Sequence, residues 1–443
     1  MKKNLYYVWQ VSYLEKIIVN GCKKLQGEIS VHGAKNSVLP ILASTLLIKG
    51  VSVIHNVPDL SDVDASVNIL EYLGAKVKRE NSTLIVDASE ISQNKVPEEM
   101  MREMRSSIIF LGSLLSRTKE AYICYPGGCD IGIRPIDLHL NALKKLGAVI
   151  YENGNCLCCK SHGFHGSKII LTFPSVGATE NIIIAAAVSK GKTTIINAAR
   201  EPEISDLAAF LNSCGARIFG AGEGTIEIEG VESLYPSAHS IIPDRVVAAT
   251  YMSIGALCSD ELVVKNIRSQ HLMPVMPVFM EMGCRIDIDK NDLRITSPKR
   301  LKRVKMIKTM PYPGFPTDCQ SIVMAALTKA KGTTIINESI FESRFKHISE
   351  LNRFGADITV NDRSAIINGV KNLYGANVYC TDLRGGASMV VAALAAEGKS
   401  TIGDIYHINR GYEKIEESLA QIGADIKRVN DEKKQEETEE CSA

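Results

Sequence analysis

A short helix-ending motif occurs six times along this chain and constrains its fold more than any other feature. Each copy is a glycine that follows a large apolar residue or cysteine and precedes alanine or cysteine; the glycines are Gly74, Gly147, Gly215, Gly283, Gly355 and Gly423. Successive glycines lie 68 to 73 residues apart, so six units nearly fill the 443 residues. Self-similarity at a fixed period indicates one supersecondary unit repeated along the chain.

The first unit shows what each repeat contains. An apolar helix and an alternating strand lead to Asn56, and Ser61 or Asp62 is expected to cap a second helix that Gly74 ends. Two hairpin strands then follow, up to Val86. Each repeat is therefore predicted to be a βαβαββ-type module in an α/β protein. Three units precede residue 240 and three follow it, which predicts two pseudo-threefold lobes with a seam near 239–243.

Charge and hydropathy exclude several classes of protein. Lys and Arg number 51 and Asp and Glu 50, which excludes a strongly basic nucleic-acid binder and a polybasic membrane protein. The longest apolar runs, 182–188 and 389–396, are far shorter than a membrane span. Residues 1–13 are interpreted as an extension without a signal-peptide cleavage site, and the acidic tail 431–443 is expected to be disordered.

The twelve cysteines are scattered, which favours a reducing, cytoplasmic location over a disulfide scaffold. The one cluster, Cys156, Cys158 and Cys159, precedes His162 and His165. Zinc binding is one interpretation of it. A plain strand and hairpin is the favoured one, because alternate residues of a strand point to opposite faces. No metal and no cofactor are expected.

Polar residues recur at the corners where a strand leads into a helix. One set of corners holds Lys35–Asn36, Arg105–Ser106, Ser175–Gly177, Asp244–Arg245, Thr317–Asp318 and Asp382–Arg384. A second set holds Cys129 with Arg134 and Asp137, Arg200–Glu201, Arg268, Glu342 with Arg344, and Arg410. Equivalent loops of a symmetric module converge near helix N-termini, which favour anions. The pattern indicates a small polyanionic ligand, although any single arginine could instead form a surface ion pair.

Two glycine-rich segments lead to different expectations. Cys129 lies on a loop with Gly127, Gly128 and Gly132, next to Arg134, where a thiol is exposed and activated. An incidental exposed cysteine is the alternative interpretation of that loop. The second segment, 220–224, resembles a phosphate loop, but no helix follows it, so a hairpin turn is predicted.

Eight segments carry a family resemblance: 33–37, 126–135, 175–179, 199–203, 315–318, 341–345, 381–384 and 407–412. Through them the chain, from about residue 14 to 429, resembles the UDP-N-acetylglucosamine 1-carboxyvinyltransferase family of enolpyruvyl transferases. The resemblance implies a two-lobed inverse α/β barrel with the active site between the lobes. It implies a lobe of residues 35–242, and a second lobe of 1–34 plus 243–443 in which the N-terminal strands pack with the C-terminal half.

The implied reaction moves the enolpyruvyl group of phosphoenolpyruvate to the 3′-hydroxyl of UDP-N-acetylglucosamine and releases phosphate through a tetrahedral intermediate. The resemblance implies that phosphoenolpyruvate contacts Lys35, Asn36, Arg134, Arg344, Arg384 and Arg410, with Arg344 and Arg384 on its carboxylate and Lys35, Arg134 and Arg410 on its phosphate. It implies that the nucleotide sugar contacts Asn36, Arg105, Arg134, Pro135, Ile136, Asp137, Leu138, Ser175, Val176, Gly177, Asp318 and Ile340. Cys129 would be the general acid and the site of a covalent adduct, Asp318 the general base, with Lys35 and Arg410 also catalytic. Asp382 matches a site residue whose role the sequence leaves open.

Three other functions remain as alternatives. The related shikimate-pathway transferase shares the donor and the fold but lacks the cysteine-bearing Pro-Gly-Gly-Cys loop. A regulatory paralogue that only binds the nucleotide sugar would be expected to lose Cys129, Asp318 or Arg410, and all three are present. A pure repeat scaffold would not need basic corners that converge from both halves. Small-molecule substrates are expected, without nucleic acid, membrane or an obligate protein partner.

Overall fold

Helices and short strands alternate throughout residues 15–127 and 136–430, which are the residues that the computed structural model describes. The strands are β1 (Glu15–Asn20), β2 (Leu25–Ser30), β3 (Val51–His55), β4 (Lys76–Glu80), β5 (Thr83–Asp87), β6 (Glu120–Cys124), β7 (Ala148–Asn153), β8 (Cys156–Ser161), β9 (Lys168–Ile170), β10 (Lys192–Ile196), β11 (Arg217–Phe219), β12 (Thr225–Glu229), β13 (Ala238–Ser240), β14 (Ser259–Lys265), β15 (Arg285–Asp289), β16 (Asp292–Thr296), β17 (Met306–Lys308), β18 (Thr333–Asn337), β19 (Asp357–Asn361), β20 (Ser364–Asn368), β21 (Leu373–Tyr374), β22 (Asn377–Tyr379), β23 (Ala396–Glu397), β24 (Lys399–Gly403) and β25 (Asp425–Asn430). The helices are α1 (Lys35–Ser44), α2 (Ser61–Leu73), α3 (Glu98–Glu103), α4 (Phe110–Thr118), α5 (Asp137–Lys145), α6 (Val176–Ala187), α7 (Pro202–Ser213), α8 (Arg245–Cys258), α9 (Ser269–Leu272), α10 (Met276–Glu281), α11 (Thr317–Leu327), α12 (Ile348–Arg353), α13 (Leu383–Ala395), α14 (Tyr406–Asn409) and α15 (Ile415–Gln421). Stretches of 3₁₀ helix at Thr45–Leu47 and Arg105–Ile109 adjoin α1 and α4.

Each repeat is associated with one small sheet, and these sheets share an equivalent order of strands. In the third repeat the order is β9-β10-β12-β11; β9 is parallel to β10 and the other neighbours are antiparallel. The fifth repeat has the equivalent order β17-β18-β20-β19, and in the second a bridge from Lys95 to Tyr122 stands beside β6-β8-β7. The βαβαββ-type module predicted from the glycine spacing is confirmed. The segment 220–224 is the turn between antiparallel β11 and β12, so the hairpin prediction is also confirmed.

One helix from each repeat lies inside the sheets. The six inner helices fall into two groups, α1, α4 and α6 in one and α8, α11 and α13 in the other, and the helices of each group contact one another. All residues of α6 from Ala178 to Ala187 and of α13 from Arg384 to Ala395 are buried. A helix that is apolar on all sides belongs in a core, so helices occupy each centre and sheets surround it. This is the inverse α/β barrel that the resemblance implies.

The strand that leads into the first inner helix of one half pairs with a strand in a sheet of the other half. β2 leads into α1 but pairs in parallel with β14, whereas β13 leads into α8 but pairs in parallel with β3. The first strand, β1, lies between β24 and β25 and completes the sheet of the last repeat. The two ends of the described chain therefore belong to one sheet.

Buried apolar side chains form two separate clusters. One contains residues from Ala34 to Ile242, and the other joins residues of β1 and β2 to residues from Val246 to Ile426. We propose that these clusters are the cores of two lobes, 35–242 and 1–34 plus 243–443. The boundaries themselves stay a prediction, which this division supports.

The chain passes between the two apolar clusters twice, at residues 32–34 and 242–244, and these two segments pair antiparallel to each other. Ala34 donates a backbone hydrogen bond to Ile242 at 2.7 Å, and Asp244 donates one to His32 at 2.9 Å. Gly33 and Pro243 form the bridge between these two bonds. A Cβ on Gly33 would lie 1.8 Å from the carbonyl oxygen of Asn56, so this crossing requires glycine.

One detail of the first repeat differs from the sequence-based expectation. Gly74 ends α2 in the left-handed conformation, with φ of 111°, as predicted. The prediction that Ser61 or Asp62 caps this helix is wrong, because the N-cap is Leu60 and no side chain accepts a capping bond. Asp62 has another function, described below.

Cysteine pairing is a further difference. Cys124 and Cys156 oppose each other on β6 and β8 and form a disulfide that the sequence does not predict. Cys158 and Cys159 are free thiols on β8, as the strand interpretation of this cluster requires. Among the described residues, no group of three or more potential metal ligands is found.

Helices of residues 15–127 and 136–430 are all too short or too polar to cross a bilayer.

The exchanged strands generate a prediction about stability. Ile17 of β1 is fully buried in the cluster that contains β24 and β25, so Ile17→Ala should lower the free energy of unfolding by about 2–5 kcal/mol. Hydrogen exchange should quicken in β24 and β25, about 400 residues away along the chain, and not in β3. The control Ile54→Ala, on β3, should show the reverse pattern; faster exchange of β3 in the Ile17 variant would contradict the pairing.

Candidate active site

Most of the predicted corner residues lie at helix N-termini, near the boundary between the two apolar clusters. Lys35 begins α1 and Thr317–Asp318 begins α11. Ser175, Asp244 and Asp382 are the N-caps of α6, α8 and α13, and the side chain of each accepts backbone N–H bonds there. The corners are polar because these buried helices start there and their first N–H groups need acceptors.

Lys35, Asp62 and Arg410 form an ion cluster that joins the two halves. The Lys35 Nζ lies 2.6 Å from Asp62 Oδ2, and the Arg410 Nε donates to Asp62 Oδ1 at 2.9 Å. The side chain of Asp62 is 5% exposed and that of Lys35 10%, whereas that of Arg410 is 31% exposed. Two cations from distant parts of the sequence therefore share one buried carboxylate.

Burial and charge act against each other in this cluster. Burial lowers the pKa of the Lys35 ammonium; Asp62 opposes this change, and Arg410 and Arg384 add to it. Burial by itself would raise the pKa of Asp62, but Lys35 and Arg410 outweigh it and leave that pKa below its ordinary value. Asp62 is thus held as an anion, and Lys35 has a cationic neighbour on the other half of the chain.

A second cluster surrounds Asp318. Arg344 Nη2 donates to Asp318 Oδ1 at 2.7 Å, and Arg384 Nε lies 3.5 Å from Asp318 Oδ2. Both arginine side chains are only 3% exposed, whereas that of Asp318 is 29% exposed. The carboxylate therefore lies at the open side of a pair of buried guanidinium groups.

These two arginines have unused hydrogen-bonding capacity. Arg344 Nε and Arg384 Nη1 are buried and have no hydrogen-bond partner among the described residues. Arg384 also packs against the ring of Tyr412, with 5.5 Å from its Cζ to the ring centroid, and Tyr412 in turn bonds Thr250 at 2.8 Å. Buried N–H groups without acceptors are costly, and paired guanidinium groups suit an anion with two oxygens.

Asp382 has a structural role that the sequence left open. Its Oδ1 accepts from the backbone N–H groups of Arg384 and Gly385 at 3.0 and 3.1 Å, and lies 3.6 Å from Arg344 Nη1. Burial by itself would raise its pKa, but Arg344 and His347 outweigh it and leave the pKa below its ordinary value. Asp382 thus caps α13 and orients both the backbone of Arg384 and the side chain of Arg344.

Two of the predicted nucleotide-sugar residues of the first half, Gly177 and Arg105, lie near His139. Gly177 of α6 packs against this imidazole, where a Cβ would lie 3.1 Å from Cε1. Asn181 donates to His139 Nδ1 at 3.1 Å and to the Ile108 carbonyl at 2.9 Å. Burial first, and Arg105 second, lower the pKa of His139 to about 4, so the ring is neutral near pH 7. His139 is a structural residue here, as its position in a helix indicates.

The remaining predicted site residues differ in their exposure to solvent. Asn36, Leu138 and Val176 are half-buried, Ile136 is buried and Asp137 is exposed at the start of α5. Ile340 lies on the loop after β18, and its backbone N–H donates to Glu338 at 2.8 Å. Cys129, Arg134 and Pro135 fall in 128–135, outside the described residues.

Three of the predicted corner residues lie outside the two groups of charged residues around Asp62 and Asp318. Arg200 and Arg268 are exposed, and Glu342 forms an exposed pair with Arg363 at 3.1 Å. These are the surface positions that the sequence could not separate from the site.

Arg384 and Asp244 link the clusters to one another. Arg384 acts on the pKa of Lys35, and the Lys35 backbone N–H donates to Asp244 Oδ2 at 3.2 Å. Next to Asp244, Arg245 makes a two-point ion pair with Glu203 of the first half at 3.0 and 3.3 Å. The two groups of charged residues are therefore connected at the boundary between the halves.

Sequence patterns miss two acidic residues of this region. They indicate Asp62 only as a possible helix cap and do not single out Glu338, whereas Asp244 is among the predicted polar corners. No sequence signal separates Asp62 from an ordinary acidic residue in the first turn of a helix. The signal for Glu338 is an acid directly after Asn337, at a position where the repeats with Asn56, Asn197 and Asn266 have an apolar residue.

Comparisons with known proteins agree with this geometry. The family model for EPSP synthase (3-phosphoshikimate 1-carboxyvinyltransferase) matches residues 19–419. A UDP-N-acetylglucosamine 1-carboxyvinyltransferase 2 of Caldanaerobacter subterraneus is 51% identical over 94% of this chain and 99% of its own. A UDP-N-acetylglucosamine 1-carboxyvinyltransferase of Trichlorobacter lovleyi is 45% identical over 94% of this chain and all of its own.

Solved structures show the same fold at lower identity. The enolpyruvyl transferase NikO from Streptomyces tendae has a TM-score of 0.86 and 24% identity, covering 94% of this chain and 99% of its own. EPSP synthase from Acinetobacter baumannii has a TM-score of 0.73 and 17% identity, covering 94% of this chain and 100% of its own. On the family model and these sequence identities, the chain belongs to the enolpyruvyl transferase family, and its curated relatives within that family are UDP-N-acetylglucosamine 1-carboxyvinyltransferases.

Proposed function

We propose that this chain transfers the enolpyruvyl group of phosphoenolpyruvate to the 3′-hydroxyl of UDP-N-acetylglucosamine and releases phosphate. This is the first committed step of peptidoglycan precursor synthesis. The observation that carries the proposal is the pair of buried guanidinium groups, Arg344 and Arg384, that hold Asp318 beside the Lys35–Asp62–Arg410 cluster. A donor with a carboxylate at one end and a phosphate at the other requires two such cationic sites. The relatives' names supply the acceptor.

Arg344 and Arg384 bind the carboxylate of phosphoenolpyruvate in this proposal. The Asp318 carboxylate already makes contacts of this kind with both arginines, at 2.7 and 3.5 Å. Binding of the donor therefore exchanges one carboxylate for another and frees Asp318 to face the acceptor hydroxyl. Lys35 and Arg410, together with Arg134, bind the phosphate, and Asp62 keeps Lys35 and Arg410 together.

The reaction is addition followed by elimination. Asp318 takes the proton of the 3′-hydroxyl as its oxygen attacks the central carbon of the donor, and Cys129 gives a proton to the methylene carbon. The oxygen's electron pair forms the new bond to the central carbon, and the electrons of the double bond form the new C–H bond. The product of this addition is a tetrahedral intermediate. The intermediate loses phosphate from the central carbon and a proton from the methyl carbon, which restores the double bond. Cys129 is also the proposed site of a covalent donor adduct.

The nucleotide sugar is proposed to contact the first half of the chain as well as Asp318 and Ile340. Ser175, Val176 and Gly177 begin α6, and Arg105 lies close enough to His139 to affect its pKa. Asn36, Arg134, Pro135, Ile136, Asp137 and Leu138 complete the proposed set. Because the proposed residues come from both halves, closure of the cleft would assemble the site.

The shikimate-pathway transferase is the second candidate, because it has the same fold and donor. The relatives at 45–51% identity favour the nucleotide sugar, whereas the EPSP synthase structure is 17% identical. We further propose a cytoplasmic location and no obligate protein partner. Phosphate release from phosphoenolpyruvate that requires UDP-N-acetylglucosamine would support the proposal, and release that requires shikimate 3-phosphate instead would overturn it.

Replacement of the proposed base should separate binding from turnover. Asp318→Asn keeps the shape of the side chain but cannot take a proton, so turnover should fall by about 10²–10⁴-fold. Calorimetric titration should still detect binding of the nucleotide sugar. The exposed control Asp357→Asn, on β19 of the same repeat, should keep normal turnover. Near-normal turnover of the Asp318 variant would remove it from the mechanism.

Cys129 should be the most reactive of the cysteines outside the Cys124–Cys156 disulfide. Burial raises the pKa of Cys258, Cys284 and Cys319 to about 12, which leaves the exposed Cys22 as an accessible comparison. The phosphonate epoxide fosfomycin resembles the donor and should alkylate Cys129, faster with UDP-N-acetylglucosamine present. Cys129→Asp should retain a proton donor and some activity without alkylation. Peptide mapping that finds the label on Cys22, or covalent inactivation of Cys129→Asp, would contradict the assignment.

Turnover should not depend on a metal ion. The donor's charges are met by Lys35 and the four arginines Arg134, Arg344, Arg384 and Arg410 in this proposal. Phosphate release should therefore survive thorough chelation by EDTA within the error of the assay. Loss of activity that one divalent cation restores would show that the cationic side chains are insufficient.

A further inference from the structure

The same corner recurs in three of the repeats. An Asn directly after the second strand adopts the left-handed conformation, with φ of 56° to 58°, and donates its side-chain amide to a carbonyl just beyond the parallel neighbouring strand. The pairs are Asn56 with Ile241 at 2.8 Å, Asn197 with Leu171 at 2.9 Å, and Asn266 with Val31 at 2.6 Å. Asn tolerates this conformation better than most residues, which explains its recurrence.

The fifth repeat departs from this pattern. Asn337, at the corresponding sequence position, ends β18 and does not have a positive φ. Glu338 follows it, with a side chain buried so that the residue is 2% exposed. A buried carboxylate is costly unless it is well supplied with donors, so its presence requires an explanation.

Glu338 accepts four hydrogen bonds from three segments of the chain. Its Oε1 accepts from Thr309 Oγ1 at 2.8 Å and from the backbone N–H groups of Ile340 and Phe341 at 2.8 and 3.2 Å. Its Oε2 accepts from Thr317 Oγ1 at 2.9 Å. The carboxylate thus joins the end of β17, the start of α11 and the loop after β18.

The segments that Glu338 joins carry proposed site residues. Thr317 directly precedes Asp318, and Arg344 Nη2 contacts both the Thr317 carbonyl at 3.4 Å and Asp318 at 2.7 Å. The loop that Glu338 anchors carries Ile340 and continues to Arg344. Loss of the carboxylate would leave Thr309, Thr317 and two backbone N–H groups without their acceptor.

We propose that Glu338 is a positioning residue that holds Asp318 and the Ile340 loop in register for the reaction. This inference rests on the proposed function, because it takes Asp318 as the base and Ile340 as a nucleotide-sugar contact. Glu338 itself lies behind both and does not touch the reacting atoms. Its loss should lower turnover and weaken binding of the nucleotide sugar, while binding of phosphoenolpyruvate changes little.

Three variants separate positioning from stability. Glu338→Ala removes all four hydrogen bonds. Glu338→Gln keeps one oxygen for Thr309, Ile340 and Phe341, and its amide can donate to Thr317, whose hydroxyl can also accept. Asn352 lies near the end of α12 in the same repeat and makes two hydrogen bonds with the backbone of Ile358. Asn352→Ala removes both of these bonds. It is the matched control for a general loss of stability.

Kinetics and hydrogen exchange test the proposal together. In Glu338→Ala, kcat for phosphate release should fall on the order of 10²-fold and KM for UDP-N-acetylglucosamine should rise several-fold, because small misplacements of reacting groups are costly. KM for phosphoenolpyruvate should stay within about twofold, and Glu338→Gln should recover most of kcat. Amide exchange at 317–318 and 340–341 should quicken in the Ala variant and not in Asn352→Ala.

Distinct outcomes overturn the inference and the proposed function. Wild-type kinetics for Glu338→Ala, or equal losses in Asn352→Ala, would overturn the positioning role. Unchanged amide exchange at 317–318 and 340–341 in Glu338→Ala would overturn it as well. This result would count whether or not the wild-type chain turns over the proposed substrates. Absence of turnover in the wild-type chain, with exchange still altered at those positions, would support the structural link and reject the proposed substrates.

Discussion

The proposed site depends on one interaction, the carboxylate of Asp62 buried between Lys35 and Arg410. Inner helices of both halves begin near their boundary, with Lys35 at the start of α1 and Arg384 at the start of α13. Without an anion there, Lys35 and Arg410 would repel each other, and burial already lowers the pKa of Lys35. One acidic side chain therefore allows two halves with separate cores to bring their cations together. The same arrangement leaves a cationic surface that a phosphate can use.

Two departures from the sixfold repeat lie at the proposed site. Asn corners recur in three repeats, whereas Glu338 provides the hydrogen bonds at the corner beside Asp318 and Arg344. Asp382 likewise combines a helix cap with a contact to Arg344. The scaffold and the site thus use the same positions, because helix N-termini are both structural ends and anion sites.

Local patterns predicted the modules and most of the polar corners, because glycine spacing and helix starts depend on short stretches of sequence. They did not predict the partner of Asp62, because Arg410 lies 348 residues away and only the tertiary fold brings it near. The same limit applies to Glu338, whose four bonds come from three segments. Family resemblance, and not periodicity, predicted that the first strands pack with the C-terminal half; the pairing of β1 with β24 and β25 agrees with it. The Cys124–Cys156 pair followed from no pattern in the sequence.

The bond that breaks in the donor provides the most direct test of enolpyruvyl transfer. Phosphoenolpyruvate can be labelled with a heavy oxygen isotope at the atom that bridges carbon and phosphorus, and incubated with this chain and UDP-N-acetylglucosamine. Addition and elimination at carbon predict that the label leaves with phosphate and that the sugar gains an enolpyruvyl ether, both seen by mass spectrometry. Label retained in pyruvate, or phosphate transferred to the sugar, would contradict the account.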